Sequence, residues 1–140
     1  MTLLFPGCVG TRIRPRWAVT AAALLARLGL ATVTGADLTC CGAPMGHAGL
    51  PGPQARMQRR NLTAWREAGQ PVLVTFCATC RAALAGYADV ADLDWAPGEA
   101  QLWRERVRPL SGLLDPLAWD IAPDAPGRVL YHHPCHDREA

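Results

Sequence analysis

The sequence contains no lysine; all fourteen basic residues are arginine. Together with the many alanines, this reads as a GC-rich coding bias and says little about partners. The formal net charge is only +2, which excludes the strongly basic surface that nucleic-acid binders carry. A membrane-crossing run is missing as well. Spanning a bilayer takes roughly 20 apolar residues, whereas the stretch Trp17 to Leu30 has fourteen and includes Arg27. Arg12, Arg14 and Arg16 ahead of it imitate the start of an export signal. The apolar Leu3-Leu4-Phe5 and Cys8 come first, however, so the stretch reads as a core-packed helix with Pro15 in its first turn and Gly29 at its stop. Neither an export signal nor an integral membrane segment is expected, and the expected location is cytoplasmic. Nor is there a bias toward disorder. Half of the 140 residues are apolar and 19% are charged, enough for one domain with its own core.

What the chain does have is cysteine. Six cysteines without an export signal are expected as reduced thiols, and regularly spaced reduced thiols point to metal or redox chemistry rather than to a disulfide framework. Five of them sit at transitions between elements. Thr2 to Phe5 reads as a short buried strand ending at Pro6-Gly7-Cys8. Arg16 to Leu28 has helical spacing, with Trp17, Ala21, Leu24, Leu25 and Leu28 facing inward. Ala31 to Thr34 is a second β-like run before Cys40-Cys41-Gly42, and Gly42 to Pro53 reads as a loop. A helix over Gln54 to Ala68 would bury Met57, Asn61, Ala64, Trp65 and Ala68 and expose Arg56, Arg59, Arg60 and Glu67. Pro71 to Phe76 is a near-continuous apolar strand of the kind covered on both faces; Cys77-Ala-Thr-Cys80 follows, then a helix over Arg81 to Tyr87. A helix is expected from Glu99 to Val107, an apolar stretch around Leu110 to Leu117, and a last strand over Arg128 to Tyr131. Strands alternating with helices predict an α/β fold, a small, mostly parallel sheet flanked by helices.

In such a sheet the loops at the carboxyl ends of the strands meet along one edge. Cys8, Cys40, Cys41, Cys77 and Cys80 are therefore expected to converge, with helix N-termini after Cys8 and Cys77 lowering thiol pKa. Arg12 and Arg81 are candidates to offset the negative charge. A structural zinc ion takes four ligands, usually from two separated Cys-x-x-Cys knuckles. An adjacent Cys-Cys pair cannot wrap one ion in that way but can reach neighbouring irons of a cluster. The usual ferredoxin run of closely spaced cysteines is absent. An iron–sulfur cluster of unusual ligation is favoured. Zinc stays open as the alternative cofactor, and a cofactor-free Cys-x-x-Cys thiol–disulfide enzyme leaves Cys8, Cys40 and Cys41 unexplained.

The pattern Cys8-x31-Cys40-Cys41-Gly42-x34-Cys77-x-x-Cys80 resembles the cysteine-rich CCG domain. That domain occurs in heterodisulfide reductases and in the iron–sulfur subunits of glycolate, lactate and glycerol-3-phosphate oxidising enzymes. Phe5-Pro-Gly-Cys8, Leu28-Gly29 and Cys40-Cys41-Gly42-Ala-Pro44 agree with it. Asn61-Leu-Thr-Ala-Trp65 and Gly46-His47 look like the glycolate oxidase branch, and the intact Cys77-x-x-Cys80 like the heterodisulfide reductase branch. The resemblance implies a noncubane [4Fe–4S] cluster on all five cysteines, serving electron transfer or disulfide reduction beside ferredoxin-type or flavin-containing oxidoreductase subunits. It also implies tandem domains. Residues 1–127 then form one CCG domain, and 128–140, with Tyr131-His-His-Pro-Cys135-His136, resemble the opening of a second, incomplete copy.

The remaining features have plainer readings. Cys135 among His132, His133 and His136 lacks a complete ligand set. His47 reads as a loop histidine before it reads as a partner for a cluster sulfur. Asn61-Leu-Thr63 fits a glycosylation acceptor but lies in a helix of a cytoplasmic chain. Of the five tryptophans, Trp103 and Trp119 are the better candidates for an interface. The arginine row 56, 59, 60 is a solvated helix face.

Overall fold

The computed structural model describes residues 1–33, 37–114, 128 and 130. Four strands, β1 (Thr2–Phe5), β2 (Thr32–Val33), β3 (Val72–Thr75) and β4 (Val107–Pro109), form one sheet in the order β2-β1-β3-β4. Every pairing is parallel. Alternate residues of a strand face opposite sides, and the two cores follow that rule. Leu4 and Val74, paired in register, pack with Ala21 and Leu25 of helix α1 (Pro15–Arg27) and with Leu110. Leu3 and Leu73, likewise paired, face the larger core of Leu62, Trp65, Leu84, Tyr87 and Trp103. That side is covered by α3 (Pro51–Glu67), α4 (Ala78–Ala85) and α5 (Glu99–Arg106), while α2 (Ala43–His47) lies at the edge of the sheet's carboxyl end.

The expected α/β class and the central elements hold. The differences have local causes. Gly42 to Pro53 is not a loop: Gly42 adopts φ +85 as the N-cap of α2, and the prolines at 44 and 51 lie in the first turns of α2 and α3, where a missing N–H costs nothing. The chain after α5 turns directly into β4, whose three residues are too few to show alternation in sequence. Helix α4 begins at Ala78 rather than Arg81, so Cys80 lies within its first turn. Trp17, expected on the inner face of α1, is 52% exposed. Of the strand expected at 128–131 only Arg128 and Leu130 are described, and neither is in a strand; the rest of the second-copy opening, Cys135 with its histidines, and Trp119 lie outside the described residues.

Trp103 is the centre of the larger core, not an interface anchor. It is fully buried, stacks on Tyr87 (5.4 Å, 4°) and meets Trp65 edge-on (5.0 Å, 86°). Its indole N–H donates to the Leu84 carbonyl at 2.6 Å, so the one polar atom brought inside is satisfied. No helix among the described residues is long and apolar enough to cross a membrane.

Glu99, buried at the start of α5, ties that helix to α3. Its carboxylate accepts two hydrogen bonds from Arg66 (2.8 and 2.5 Å), one from Gln70 (2.8 Å) and one from the Ala96 N–H (3.1 Å). The Arg66 guanidinium is the main cause holding its pKa down from 4.5 to about 2. The folded-state value lies below the unfolded one, so the contribution is whole above about pH 4.5 and is lost as pH falls through about 2. The thermal midpoint of the wild-type chain should therefore drop more steeply than that of Glu99→Gln across this acid window. Parallel curves for the two proteins would show that Arg66–Glu99 carries no linkage.

Candidate metal centre

Three of the parallel strands end at the same edge of the sheet, and each is followed by cysteines. β1 leads through Pro6-Gly7 to Cys8, which is exposed. β2 is followed by Cys40, half-buried, and Cys41, 2% exposed. β3 leads through Phe76 to Cys77, the N-cap of α4, and to Cys80, 4% exposed. All five are free thiols. The sequence expectation that they converge is met: their side chains influence one another in one continuous series, Cys8 to Cys40, Cys40 to Cys41, Cys41 to Cys80 and Cys80 to Cys77.

A cavity of about 410 Å³ opens beside this series, lined by Cys8, Cys41, Cys77 and Cys80 and walled by Pro6, Val9, Trp17, Pro44 and Phe76. That volume falls in the range of roughly 300–1,000 Å³ common for bound small molecules and cofactors. Among the described residues no three Cys, His, Asp or Glu side chains are arranged to close around a single ion. Packing around the thiols is tight at one point. Gly7, at φ +65, lies where an added Cβ would come 2.9 Å from the Cys80 sulfur, so both backbone conformation and space require glycine there.

The thiols are not equivalent. The hydrogen bond from Cys80, helped by the N–H groups of Thr79 and Cys80 at the start of α4, lowers Cys77 to about 5. The hydrogen bond from Cys80 also lowers Cys41 to about 6, with the Ala43 N–H adding to it. Cys80 itself, donating toward both neighbours, is pushed up. Burial pushes Cys40 up to about 11. Cys41 and Cys77 are therefore the thiols most readily ionised, and Cys80 between them holds its proton. The expected helix effect appears at Cys77; after Cys8 the chain forms instead a five-residue π-helical segment, Val9–Ile13. The leading causes of the lowered values are thiol and backbone hydrogen bonds rather than Arg12 or Arg81. His47 is at the end of α2 and does not line the cavity.

Two residues that spacing does not single out hold the vicinal pair. Asn61, fully buried on α3, accepts from the Thr39 N–H (2.7 Å) and hydroxyl (3.2 Å) and donates to the Cys40 carbonyl (3.0 Å) and the Tyr87 hydroxyl (3.1 Å). The Tyr87 hydroxyl donates in turn to the Cys41 carbonyl at 2.8 Å. Burial is the main cause raising the Tyr87 phenol, so it stays a donor. The signal in the sequence was an asparagine on the inner face of an amphipathic helix, since a buried amide needs partners.

The model of the cysteine-rich domain family, CCG, matches residues 2–85, more than half of the chain and all five thiols. No curated protein and no solved structure matches the chain closely enough to count as a relative.

In the metal-free chain, the alkylation rate of Cys77 should rise through about pH 5 and be level by neutrality. Peptide mass spectrometry after brief treatment with iodoacetamide measures this. A Cys77 rate still climbing steeply through pH 8–9, as for an ordinary thiol of about 8.5, would contradict the thiolate assignment.

Proposed function

This chain belongs to the cysteine-rich CCG domain family, and on that premise we propose that Cys8, Cys40, Cys41, Cys77 and Cys80 hold a [4Fe–4S] cluster of the noncubane type. The chain then serves as a redox subunit of a larger oxidoreductase assembly of the heterodisulfide-reductase or 2-hydroxy-acid-oxidising kind. The observation that carries the reading is the thiol series itself. Adjacent Cys40 and Cys41 reach different neighbours, Cys8 on one side and Cys80 on the other. A donor set strung out in this way suits several metal centres better than one tetrahedral ion. Two of the donors, Cys41 and Cys77, have lowered pKa values, which eases the ionisation that thiolate ligation requires.

When bound, the cluster supplies one-electron chemistry for transfer to a partner or for opening a disulfide. The protein's part is to hold, shield and expose. Phe76, Pro6, Val9 and Pro44 keep the thiolates in apolar surroundings on one side of the cavity. Every proton still held on the five thiols would be released to solvent on ligation. Trp17 and Val9 line the cavity and are exposed, and the same N-terminal stretch carries exposed Ile13, Arg12, Arg14 and Arg16. No carboxylate side chain occurs among the first 36 residues. An apolar, cationic stretch of this kind favours an acidic partner subunit, ferredoxin-type or flavin-containing. The reduced thiols suit a cytoplasmic location, and residues 1–127 and 128–140 fit a first domain and the opening of a second.

Anaerobic reconstitution followed by iron, sulfide and zinc analysis tests the assignment. Roughly four irons with matching sulfide and visible absorbance are expected, and Cys41→Ala should lose or convert the cluster. One zinc per chain with no visible absorbance would sink this reading and establish a structural zinc module instead.

A further inference from the structure

Vicinal cysteines pose a geometric problem. In extended backbone, adjacent side chains point to opposite sides, yet Cys40 and Cys41 both join one thiol series. The segment from Asp37 to Gly42 belongs to neither helix nor strand, so no regular ladder holds it. Its backbone groups are instead gripped from elements far away in sequence. The Thr39 N–H and the Cys40 carbonyl bond to Asn61, 22 and 21 residues distant, and the Cys41 carbonyl bonds to Tyr87, 46 residues distant.

We propose that Asn61 and Tyr87 are positioning residues, a clamp that fixes the Cys40–Cys41 peptide so that both thiols face the same centre before any metal arrives. Three observations carry this. Asn61 is fully buried and uses its whole hydrogen-bonding capacity, two accepted and two donated bonds. The Tyr87 hydroxyl links the clamp's two arms, accepting from Asn61 and donating to Cys41. The Tyr87 ring lies flat on Trp103, so the hydroxyl is indexed to the most buried part of the core rather than to a surface loop. The Cys40 carbonyl is thereby held by α3 and the Cys41 carbonyl by Tyr87. Beyond the pair, Gly42 at φ +85 turns the chain into α2, a left-handed conformation that a side chain would strain. The clamp's purpose rests on the cluster reading; its existence as a restraint does not.

The test begins with the metal-free chain, where Cys41 alkylation under native conditions reports the restraint directly. In Asn61→Ala, Cys41 should react at least about tenfold faster than in wild type, since several net-favourable hydrogen bonds are lost, while Cys77 keeps its rate. Tyr87→Phe retains the stack on Trp103 and loses only the hydroxyl, so it decides the matter if Asn61→Ala does not fold; a rise of about fivefold is expected. Leu62→Ala, which weakens the same helix without touching the clamp, should leave Cys41 protected. After anaerobic reconstitution, the two clamp variants should lose iron faster than wild type and show an altered visible spectrum, and Leu62→Ala should do neither. Unchanged Cys41 protection in folded Asn61→Ala or Tyr87→Phe overturns the clamp. So does an equal response in Leu62→Ala, which would reduce the effect to general stability. If wild type takes up no iron while Cys41 protection falls in the clamp variants alone, the cluster reading fails and the restraint stands.

Discussion

Parallel pairing of β1 with both β2 and β3 is the constraint on which the site depends. Because all three strands run the same way, their exits lie along one edge, and residues far apart in the chain arrive together without any strand being long. β2 contributes only two residues, yet that suffices to deliver Cys40 and Cys41 beside Cys8. The register does the rest: Leu3–Leu73 and Leu4–Val74 commit each face of the sheet to its own core, and a one-residue slip would turn both faces over. Packing on the two faces therefore fixes the height at which the cysteine loops leave the sheet.

The larger core and the thiol group form one continuous body. Cys41 and Cys80 are themselves members of the buried cluster that contains Trp65, Tyr87 and Trp103. Between aromatic rings and sulfur lies a polar layer made of Asn61, Tyr87 and the 39–41 backbone. Such a layer stabilises only if every group in it is satisfied, and no buried side-chain nitrogen or oxygen among the described residues lacks a partner. The core is thus tied to the 39–41 segment by hydrogen bonds with fixed direction, which apolar contacts alone would not supply.

The sequence carried the parts of this design that repeat or alternate. The run Pro71 to Phe76, the helical face of Asn61, Ala64 and Trp65, and the exposed arginines 56, 59 and 60 were legible because burial imposes a period on them. The convergence of the five cysteines was legible because parallel α/β topology leaves few places for strand exits to go. What escaped were short elements and sidedness. Three residues cannot show a period, so β4 was missed. Proline and glycine density between Gly42 and Pro53 reads as a loop, although the same residues serve as N-cap and first-turn residues. Trp17 and Trp103 exchanged places relative to expectation for a related reason: size and apolarity say that a tryptophan prefers burial, but which one turns into the core from its helix and which stands at a cavity mouth is decided by where the helices land. The partners of Asn61 could not be read at all, since they depend on chain segments brought together only by the fold.

The distribution of protons over the thiols follows from this arrangement. Placing several sulfurs within contact of one another in a buried setting opposes ionisation of all of them together, by desolvation and by mutual repulsion. Hydrogen bonds from Cys80 and from the N–H groups at the start of α4 and α2 favour ionisation of Cys77 and Cys41 and disfavour that of Cys80. A cationic centre held by these residues would shift the balance, because its attraction for each thiolate would offset both the lost protons and the repulsion among the sulfurs. The same burial that makes the metal-free group electrostatically uneasy makes the loaded one strong, since charges interact more strongly away from water. The fold thereby couples three things that the sequence spacing alone keeps separate: strand direction brings the sulfurs together, the amide and phenol layer holds the backbone of the vicinal pair, and hydrogen bonding within the group makes its thiols unequal.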